Sequence, residues 1–305
     1  MYNGKNSNFS KITRNKKPAD VAFNIFIILF SVITFFIIAY PLYFVVIASV
    51  SSSTLVSQGQ VVLWPKAINF FGFNQVFSDS RIWTGYRNTI IYTFSGTIVN
   101  MLFTLPAAYV LSRKVFMPRK LLMFLFTFTM FFNGGLMPTY LLMKQINFIN
   151  KPWVFIIPFS VNVFNLIITR SFFENSIPDE LYEAAQLDGC SHFKFFSKVV
   201  IPLSKAVVSV VTLYYIVGHW NDFFTGLLYI REAALQPLQN VLRNILISNQ
   251  VFASGAGSVG SGYAQQYADQ VKYAVIIVST LPILVVYPFI QKYFDKGVMI
   301  GAVKG

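Results

Sequence analysis

The sequence predicts an all-α, polytopic membrane protein that crosses the bilayer six times. Of its 305 residues, 55% are hydrophobic, 17% are aromatic and only 11% are charged. This composition is far too apolar for a soluble domain of that length. Six largely apolar segments are each near the length of about 20 residues that crosses roughly 30 Å of hydrocarbon. They are residues 22–47, 88–111, 121–143, 153–173, 206–229 and 271–291.

Lysine and arginine are distributed unevenly between the two sets of connecting segments. With the N-terminus inside the cell, the cytoplasmic segments hold fifteen of them and the opposite side holds eight, while Arg170 lies near the end of a span. Because short cytoplasmic loops retain positive charge, we expect both termini in the cytoplasm. The predicted organisation is a basic cytoplasmic N-terminal segment (1–20), a six-helix membrane domain (21–291) and a cytoplasmic C-terminal tail (292–305).

The formal net charge of +13 does not indicate nucleic-acid binding. The basic residues lie at the ends of spans, where they anchor the chain to lipid headgroups, and they do not gather on one soluble face. We therefore expect membrane lipids, and no nucleic acid, as partners. The single cysteine, Cys190, excludes a disulfide, a CxxC redox pair or a cysteine-based zinc site within one chain.

Motifs for catalysis and nucleotide binding are missing from the sequence. No GxxxxGK[ST] phosphate loop occurs, so the energy for any transport has to come from a partner or a gradient. Gly255, Gly257 and Gly260 form a GxGxxG pattern, but no strand precedes them and they fall in a predicted external loop. His192 and His219 lie in different predicted compartments and cannot share a metal ion. The prediction is a protein that is not an enzyme and holds no metal.

A polar segment, residues 176–202, separates spans four and five and faces the cytoplasm in this topology. Ser176 is a suitable N-cap for a short helix with acids in its first turn, and Gly189 can end that helix in the left-handed conformation. Ser191 can then cap a second, phenylalanine-rich amphipathic helix, which Pro202 ends. One interpretation is an ordinary interfacial linker. The other is an insertion into a groove of a partner, because two adjacent alanines beside an acid form a small, stiff surface.

The stretch from Glu183 to Pro202 reads EAA-x3-G-x9-V-x-I-P and resembles the EAA motif of the permease subunits of ATP-binding-cassette importers, EAA-x3-G-x9-I-x-L-P. Val199 and Ile201 are conservative departures from that motif. Three further segments are similar to carbohydrate-uptake permeases of the maltose and multiple-sugar class: FFNGGLMPTYLL (131–142), HWNDFF (219–224) and YFDKGVMIGAVKG (293–305). The resemblance covers nearly the whole chain after residue 20 and is strongest to the shorter of the two permease subunits, which has six spans.

The resemblance implies import of a carbohydrate, here an oligosaccharide, across the cell membrane of a Gram-positive bacterium. The implied partners are a second homologous permease, two ATPase subunits that bind ATP and Mg, and an extracellular solute-binding lipoprotein. This chain is expected to bind no cofactor of its own. The residues implied to couple to the ATPases are Glu183, Ala184, Ala185, Asp188 and Gly189 in a coupling helix, and Gly297, Gly301 and Lys304 in the tail.

Polar residues inside spans four and five are candidates for the substrate path, because polar and aromatic side chains bind sugars and are costly in lipid. At helical spacing they are Asn162, Asn165 and Thr169, then Tyr214, Gly218, Asn221 and Thr225, with Tyr215, His219 and Asp222 on an adjoining stripe. The alternative is that they hold helices together or lie at the outer interface. His219 and Asp222 are also spaced to pair with each other.

Residues 231–270 form a long predicted external loop with a Gly/Ser-rich tip, and the resemblance implies that it reaches toward the docked binding protein. Two other classes of protein stay open. A gradient-driven secondary transporter needs intramembrane acids and often an inverted repeat, and only Asp222 meets the first requirement. A structural or receptor-like scaffold leaves the EAA segment unexplained.

Overall fold

The computed structural model describes residues 18–255, 271–285 and 288, and within these ranges the chain is helical and forms no strand. The predicted all-α fold is thus confirmed for this part of the chain. Within it, two helices are long and apolar enough to cross a membrane, Ala19–Ser49 and Ser80–Ser112. Counting each of two bent helix pairs as one span raises the number to four, and a shorter apolar helix follows at Val271–Val285.

The chain forms two compact units, one ending at Phe70 and one beginning at Phe71. The first unit contains α1 (Pro18–Ser49) and α2 (Ser53–Ser57). The 32 residues of α1 extend about 48 Å, and their apolar side chains are exposed along most of the helix, as in a lipid-facing span. The Ser51 hydroxyl holds the turn after α1, since it donates to Ile47 O (2.6 Å) and accepts from Lys66 N (3.2 Å).

The described part of the second unit is mainly helical. Its helices are α3 (Phe71–Ser78), α4 (Ser80–Ser112), α5 (Arg119–Phe131), α6 (Leu136–Gln145), α7 (Val163–Ser176), α8 (Asp179–Leu187), α9 (His192–Phe195), α10 (Ile201–Leu203), α11 (Lys205–Trp220), α12 (Phe224–Tyr229), α13 (Leu238–Gly255) and α14 (Val271–Val285). Two 3-10 turns lie at Pro152–Phe155 and Ala233–Leu235, and a π-helical turn at Phe196–Val200 joins α9 to α10.

Helix α4 is the centre of this unit, and α7, α11 and α13 pack against it. Its buried face is small and polar, and includes Gly85, Asn88, Thr89, Gly96, Asn100, Thr104 and Ala108. Its exposed face is apolar, and includes Ile90, Phe94, Leu102 and Phe103. A soluble helix has the reverse arrangement, whereas helices in lipid pack through small residues and interhelical hydrogen bonds. The second unit is therefore built for a hydrocarbon surrounding.

The third predicted span, 121–143, is not one continuous helix. Helices α5 and α6 meet at an angle of 110° across a short break. Gly135 lies in this break with a φ of 83°, and its N–H donates to Asn133 Oδ1 (3.0 Å). Because the left-handed conformation suits glycine and interrupts an α-helix, the Asn-Gly-Gly sequence produces the bend.

The fourth and fifth predicted spans are also interrupted. In the fourth predicted span, 153–173, the α-helical part is the beginning of α7, which has 14 residues. This helix starts late in the predicted span because Asn162 caps it, its Oδ1 accepting from Asn165 N (3.2 Å). In the fifth predicted span, helix α11 ends at Trp220 and the separate helix α12 follows. Asp222 Oδ1 accepts from Thr225 N (3.0 Å) at the start of α12. The predicted loop 231–270 is not entirely a loop, because 18 of its residues form helix α13. The side chains of Leu238, Val241, Leu242 and Ile245 in this helix are buried.

Candidate coupling elbow and polar helix junction

The predicted coupling segment begins with two short helices, α8 and α9, followed by the π-helical turn and α10. We call residues 178–204 the elbow. Gly189 ends α8 with a φ of 70°, as predicted. Its N–H donates to Gln186 O (3.0 Å), and Cys190 N donates to Ala185 O (2.9 Å). This pair of bonds is a Schellman motif, and Cys190 and Ala185 pack into the same apolar cluster. The chain therefore turns sharply at the glycine of the EAA motif.

The start of α8 differs from the prediction. Ser176 is the last residue of α7, and Pro178 stands at the N-cap position without a side-chain capping bond. Ile177, which is buried, separates the two helices. Asp179 and Glu180 in the first turn instead complement the positive end of the helix dipole.

The second half of the elbow agrees with the prediction at its start and differs at its end. Ser191 caps α9, since its Oγ accepts from Lys194 N (3.3 Å). Beyond α9 the helix continues through the π-helical turn and Pro202, and the chain bends by 85° at Ser204. Because proline lacks an N–H, the normal α-helical bonding cannot persist through this region, and the wider turn absorbs the missing donor.

The EAA motif presents one face outward and one inward. Glu183, Ala184, Asp188 and Gly189 are exposed, and the side chain of Leu187 next to them is 91% exposed. Ala185 is partly buried against the cluster that joins α4, α7, α9 and α11. The outward face is therefore a small, acidic surface with one protruding apolar side chain, suited to a groove in a partner.

The elbow is tied to the end of α4 through the carboxylate of Asp179. Lys114 Nζ lies 2.8 Å from Asp179 Oδ2, and Arg113 Nη1 lies 3.7 Å from Oδ1. The hydrogen bond from Lys114, with smaller contributions from the charges of Lys114, Arg113 and Arg119, lowers the pKa of Asp179 below its ordinary 3.8. The same hydrogen bond raises the pKa of Lys114. This contact keeps the first turn of α8 beside α4.

Two candidate path residues, His219 and Tyr215, are held in a polar junction between α4, α7 and α11. His219 Nε2 donates to Asn100 Oδ1 (2.6 Å), and Asn100 Nδ2 donates to Ser160 O (2.7 Å). Tyr215 OH shares a 2.7 Å hydrogen bond with Thr104 Oγ1 and accepts from Asn162 N (3.1 Å). These contacts join three helices, as interhelical hydrogen bonds do in lipid.

The remaining candidates divide between buried and exposed positions. Asn165 and Thr169 are buried in the junction, where Thr169 Oγ1 donates to Asn165 O (2.7 Å). Tyr214, Gly218 and Asn221 are exposed along one face of α11. Those three residues are called the exposed stripe below. Asn162, Asn165, Tyr215 and His219 take part in helix packing, and Asp222 Oδ1 accepts from a backbone N–H in the first turn of α12. The tail residues Gly297, Gly301 and Lys304 lie outside the described residues.

Sequence reasoning missed four residues that build these sites, Gly96, Asn100, Thr104 and Arg113. The first three recur every fourth residue, so they lie on one face of α4 and supply the packing surface and hydrogen-bond partners for α11. That regular spacing of small and polar residues inside an apolar span is the signal that could have identified them. Arg113 gives no such signal, because two of its three ring contacts, Tyr182 and Phe195, and its ion-pair partner Asp179 come from a distant segment.

A helical bundle with an apolar exposed surface and a polar exposed elbow is typical of a membrane transport subunit. Residues 82–300 match the family described as the inner membrane component of binding-protein-dependent transport systems. The chain belongs to this family. It is a permease subunit of an ATP-binding-cassette importer, in which the ATPase is a separate subunit. This membership decides against the secondary-transporter and scaffold alternatives.

Similar proteins include carbohydrate permeases. Protein LplC of Bacillus subtilis (strain 168) is 39% identical over 87% of this chain and 89% of its own length. The polygalacturonan/rhamnogalacturonan transport system permease protein YtcP of the same organism is 38% identical over 87% of this chain and 92% of its own. A chain in the crystal structure of a bacterial ABC transporter involved in the import of the acidic polysaccharide alginate has a TM-score of 0.82 and 32% identity, covering 92% of this chain and all of that one.

Proposed function

We propose that this chain is one of two homologous permeases in an importer whose extracellular solute-binding lipoprotein delivers an oligosaccharide. Two ATPase subunits bind ATP and Mg beneath the permeases, and this chain binds neither. The exposed EAA surface on the elbow carries the proposal, because it is a docking face set on an otherwise lipid-adapted bundle. The names of the relatives support a carbohydrate as the cargo, and we propose an oligosaccharide.

The proposed topology has six spans, with both termini and the elbow in the cytoplasm of a Gram-positive bacterium. The excess of lysine and arginine on the elbow side of the bundle supports this orientation. ATP-driven closure of the two ATPases moves the elbow, and the helices reorganise from an inward-facing to an outward-facing state. Sugar then enters the path along the exposed stripe of Tyr214, Gly218 and Asn221.

The first test uses cells of the source bacterium that lack the chromosomal gene and carry an affinity-tagged wild type or Glu183→Ala. Uptake is measured with radiolabelled oligogalacturonides, alginate oligosaccharides and maltodextrins, and the co-purified ATPase is quantified. We expect Glu183→Ala to reduce uptake and ATPase recovery, because Glu183 is an exposed residue of the proposed docking face.

Lys120→Gln is the matched control, because it removes an exposed charge at the same end of the bundle but outside the elbow. Equal insertion in the membrane is checked by immunoblot for each variant. Normal uptake and normal ATPase recovery with Glu183→Ala would contradict the docking role. Uptake of none of the three sugars by the wild type, with ATPase still bound, would contradict the assignment of an oligosaccharide cargo within this panel.

A further inference from the structure

We propose that Arg113 is the positioning residue that transmits movement of the coupling helix α8 to the central span α4, an inference that rests on the proposed function. Arg113 stands at the C-cap of α4, where the backbone becomes extended. It is 9% exposed, which is unusual for an arginine so close to the end of a predicted span. Its contacts come chiefly from the elbow.

The guanidinium of Arg113 lies within a cage of three aromatic rings. Its Cζ is 4.8 Å from the ring centroid of Tyr109, 5.5 Å from that of Phe195 and 5.9 Å from that of Tyr182. Tyr109 belongs to α4, whereas Tyr182 and Phe195 belong to the two arms of the elbow. A cation over aromatic faces is stabilised most when it is shielded from water, as here. The cage therefore joins three elements through one side chain.

Arg113 makes few polar contacts. Its ion pair with Asp179 has an N–O distance of 3.7 Å, and its Nε and Nη2 have no hydrogen-bond partner among the described residues. Because buried donors without acceptors are unfavourable, the position of Arg113 depends on the rings and the carboxylate that the elbow supplies.

Neighbouring contacts connect this end of α4 to α7 and α5. Arg170 Nε donates to Leu111 O (3.1 Å), and Arg170 Nη2 pairs with Glu174 Oε2 (2.7 Å). Glu174 in turn pairs with Arg119 at the start of α5 (3.3 Å). Arg113 also lines one cleft of about 310 Å³ together with Glu183 of the EAA motif. A displacement of α8 at its docking face is thus passed to α4 through the Arg113 cage.

The test measures hydrogen–deuterium exchange in the purified complex of this chain with its partner permease and ATPases in nanodiscs, with and without ATP plus vanadate. Peptides covering residues 179–188 and 104–113 report α8 and the end of α4. In the wild type both peptides change on nucleotide binding. In Arg113→Gln we expect the nucleotide response at 104–113 to be lost while that at 179–188 persists. Without nucleotide, we expect the exchange rate of 179–188 to be about tenfold higher in Arg113→Gln than in wild type, because the contact of Arg113 with the rings of the elbow is lost.

Three further variants separate positioning from general structure. Arg113→Lys keeps the charge but not the planar stacking, so its effect should lie between wild type and Arg113→Gln. Asp179→Asn weakens the ion pairs of this carboxylate with both Lys114 (2.8 Å) and Arg113 (3.7 Å) and leaves the three rings in place, so the nucleotide response at 104–113 should persist. Its loss in this variant would assign the link to the carboxylate and overturn the role of the cage. Lys120→Gln should behave as wild type.

Each other outcome has a defined meaning. A wild-type response at both peptides in Arg113→Gln would overturn the inference, as would an equal loss at both, which indicates a structural role alone. A tagged wild-type permease that carries no ATPase and shows no nucleotide response would instead contradict the proposed function.

Discussion

The imidazole of His219 occupies the space beside Gly96 where any other residue would place a side chain. A Cβ at position 96 would lie 2.5 Å from both Cε1 and Nε2 of that ring. One turn further along α4, Asn100 Oδ1 accepts the hydrogen bond from His219 Nε2. Glycine at 96 therefore permits the close approach of α11 to α4 that this hydrogen bond requires.

Replacing Gly96 with alanine should destabilise the second unit. The added methyl group forces the His219 ring or the helix to shift, and overpacking of this kind costs about 1–3 kcal/mol. Thermal unfolding of the purified protein in detergent measures the effect. Gly218→Ala is the matched control on α11, because a Cβ there meets no atom within 4 Å. Equal melting temperatures for Gly96→Ala and Gly218→Ala would contradict the packing shown here.

The hydrogen bond between Thr104 and Tyr215 should show a measurable coupling energy between α4 and α11. In a double-mutant cycle with Thr104→Val and Tyr215→Phe, we expect a coupling of about 0.6 kcal/mol, the average for interhelical hydrogen bonds in lipid, and no more than about 1.7 kcal/mol. Tyr215→Phe should be the more destabilising single change, because the hydroxyl of Tyr215 also accepts from Asn162 N. Strictly additive stabilities would show that the two hydroxyl groups do not interact.

The left-handed conformation of Gly189 predicts which substitutions the elbow tolerates. Asparagine adopts this conformation readily, whereas a β-branched side chain is penalised by at least about 1–2 kcal/mol. We therefore expect Gly189→Asn to keep most of the ATPase co-purification and Gly189→Val to lose it. Exchange rates of the amides of residues 185–190 check that the Schellman turn is the part affected. Equal recovery of ATPase with both variants would argue against a specific turn.

The contact between Asp179 and Lys114 predicts a dependence of stability on pH. The pKa of Asp179 is lowered, so its contribution is present above its ordinary 3.8 and is lost as the pH falls through the lower folded-state value. The pKa of Lys114 is raised, so its contribution is complete below its ordinary 10.5 and is lost as the pH rises through the folded-state value. Between these limits the contribution is constant.

Thermal unfolding of wild type and Asp179→Asn across this pH range measures that contribution as a difference. The difference should be small, since the pair is partly exposed, and should shrink below the ordinary pKa of aspartate. Other carboxylates act equally on both proteins and cancel. A difference that grows toward acid pH would have the wrong sign and would refute the ion-pair account.

The exposed stripe on α11 is expected to affect transport without affecting stability. Tyr214→Ala and Asn221→Ala remove side chains that are exposed in this unit, so the melting temperature should stay near that of wild type while sugar uptake falls. Phe94→Leu, at an exposed position on the apolar face of α4, is the control for general surface changes. Unchanged sugar uptake in both stripe variants would show that the substrate path does not follow this face of α11.

Much of the architecture follows from local sequence signals. The apolar composition predicts a helical membrane protein, because lipid leaves backbone groups no partner outside the helix. The EAA spacing predicts the elbow, and Gly189 and Ser191 end and start its helices as their backbone and side-chain chemistry requires. Those features depend on residues within one or two helical turns of each other.

Interruptions inside the predicted spans were harder to foresee from apolar content. The 110° bend after α5, the end of α11 at Trp220 and the helical character of residues 238–255 do not change the average hydropathy of their segments. Hydropathy averaged along the sequence does not detect a helix break that is made by two glycines or by an aspartate at a helix start.

Local composition and spacing were enough to predict the helical membrane class and the elbow with its EAA motif. Assembly of the helices settled which polar residues pair and which stay exposed: it joined His219 to Asn100, buried Asn165, left Tyr214 exposed and enclosed Arg113 in rings from three segments. The reason is physical. A helix-forming or turn-forming preference acts between neighbours in the chain, whereas burial and hydrogen bonding between residues more than a hundred positions apart exist only once the helices pack together.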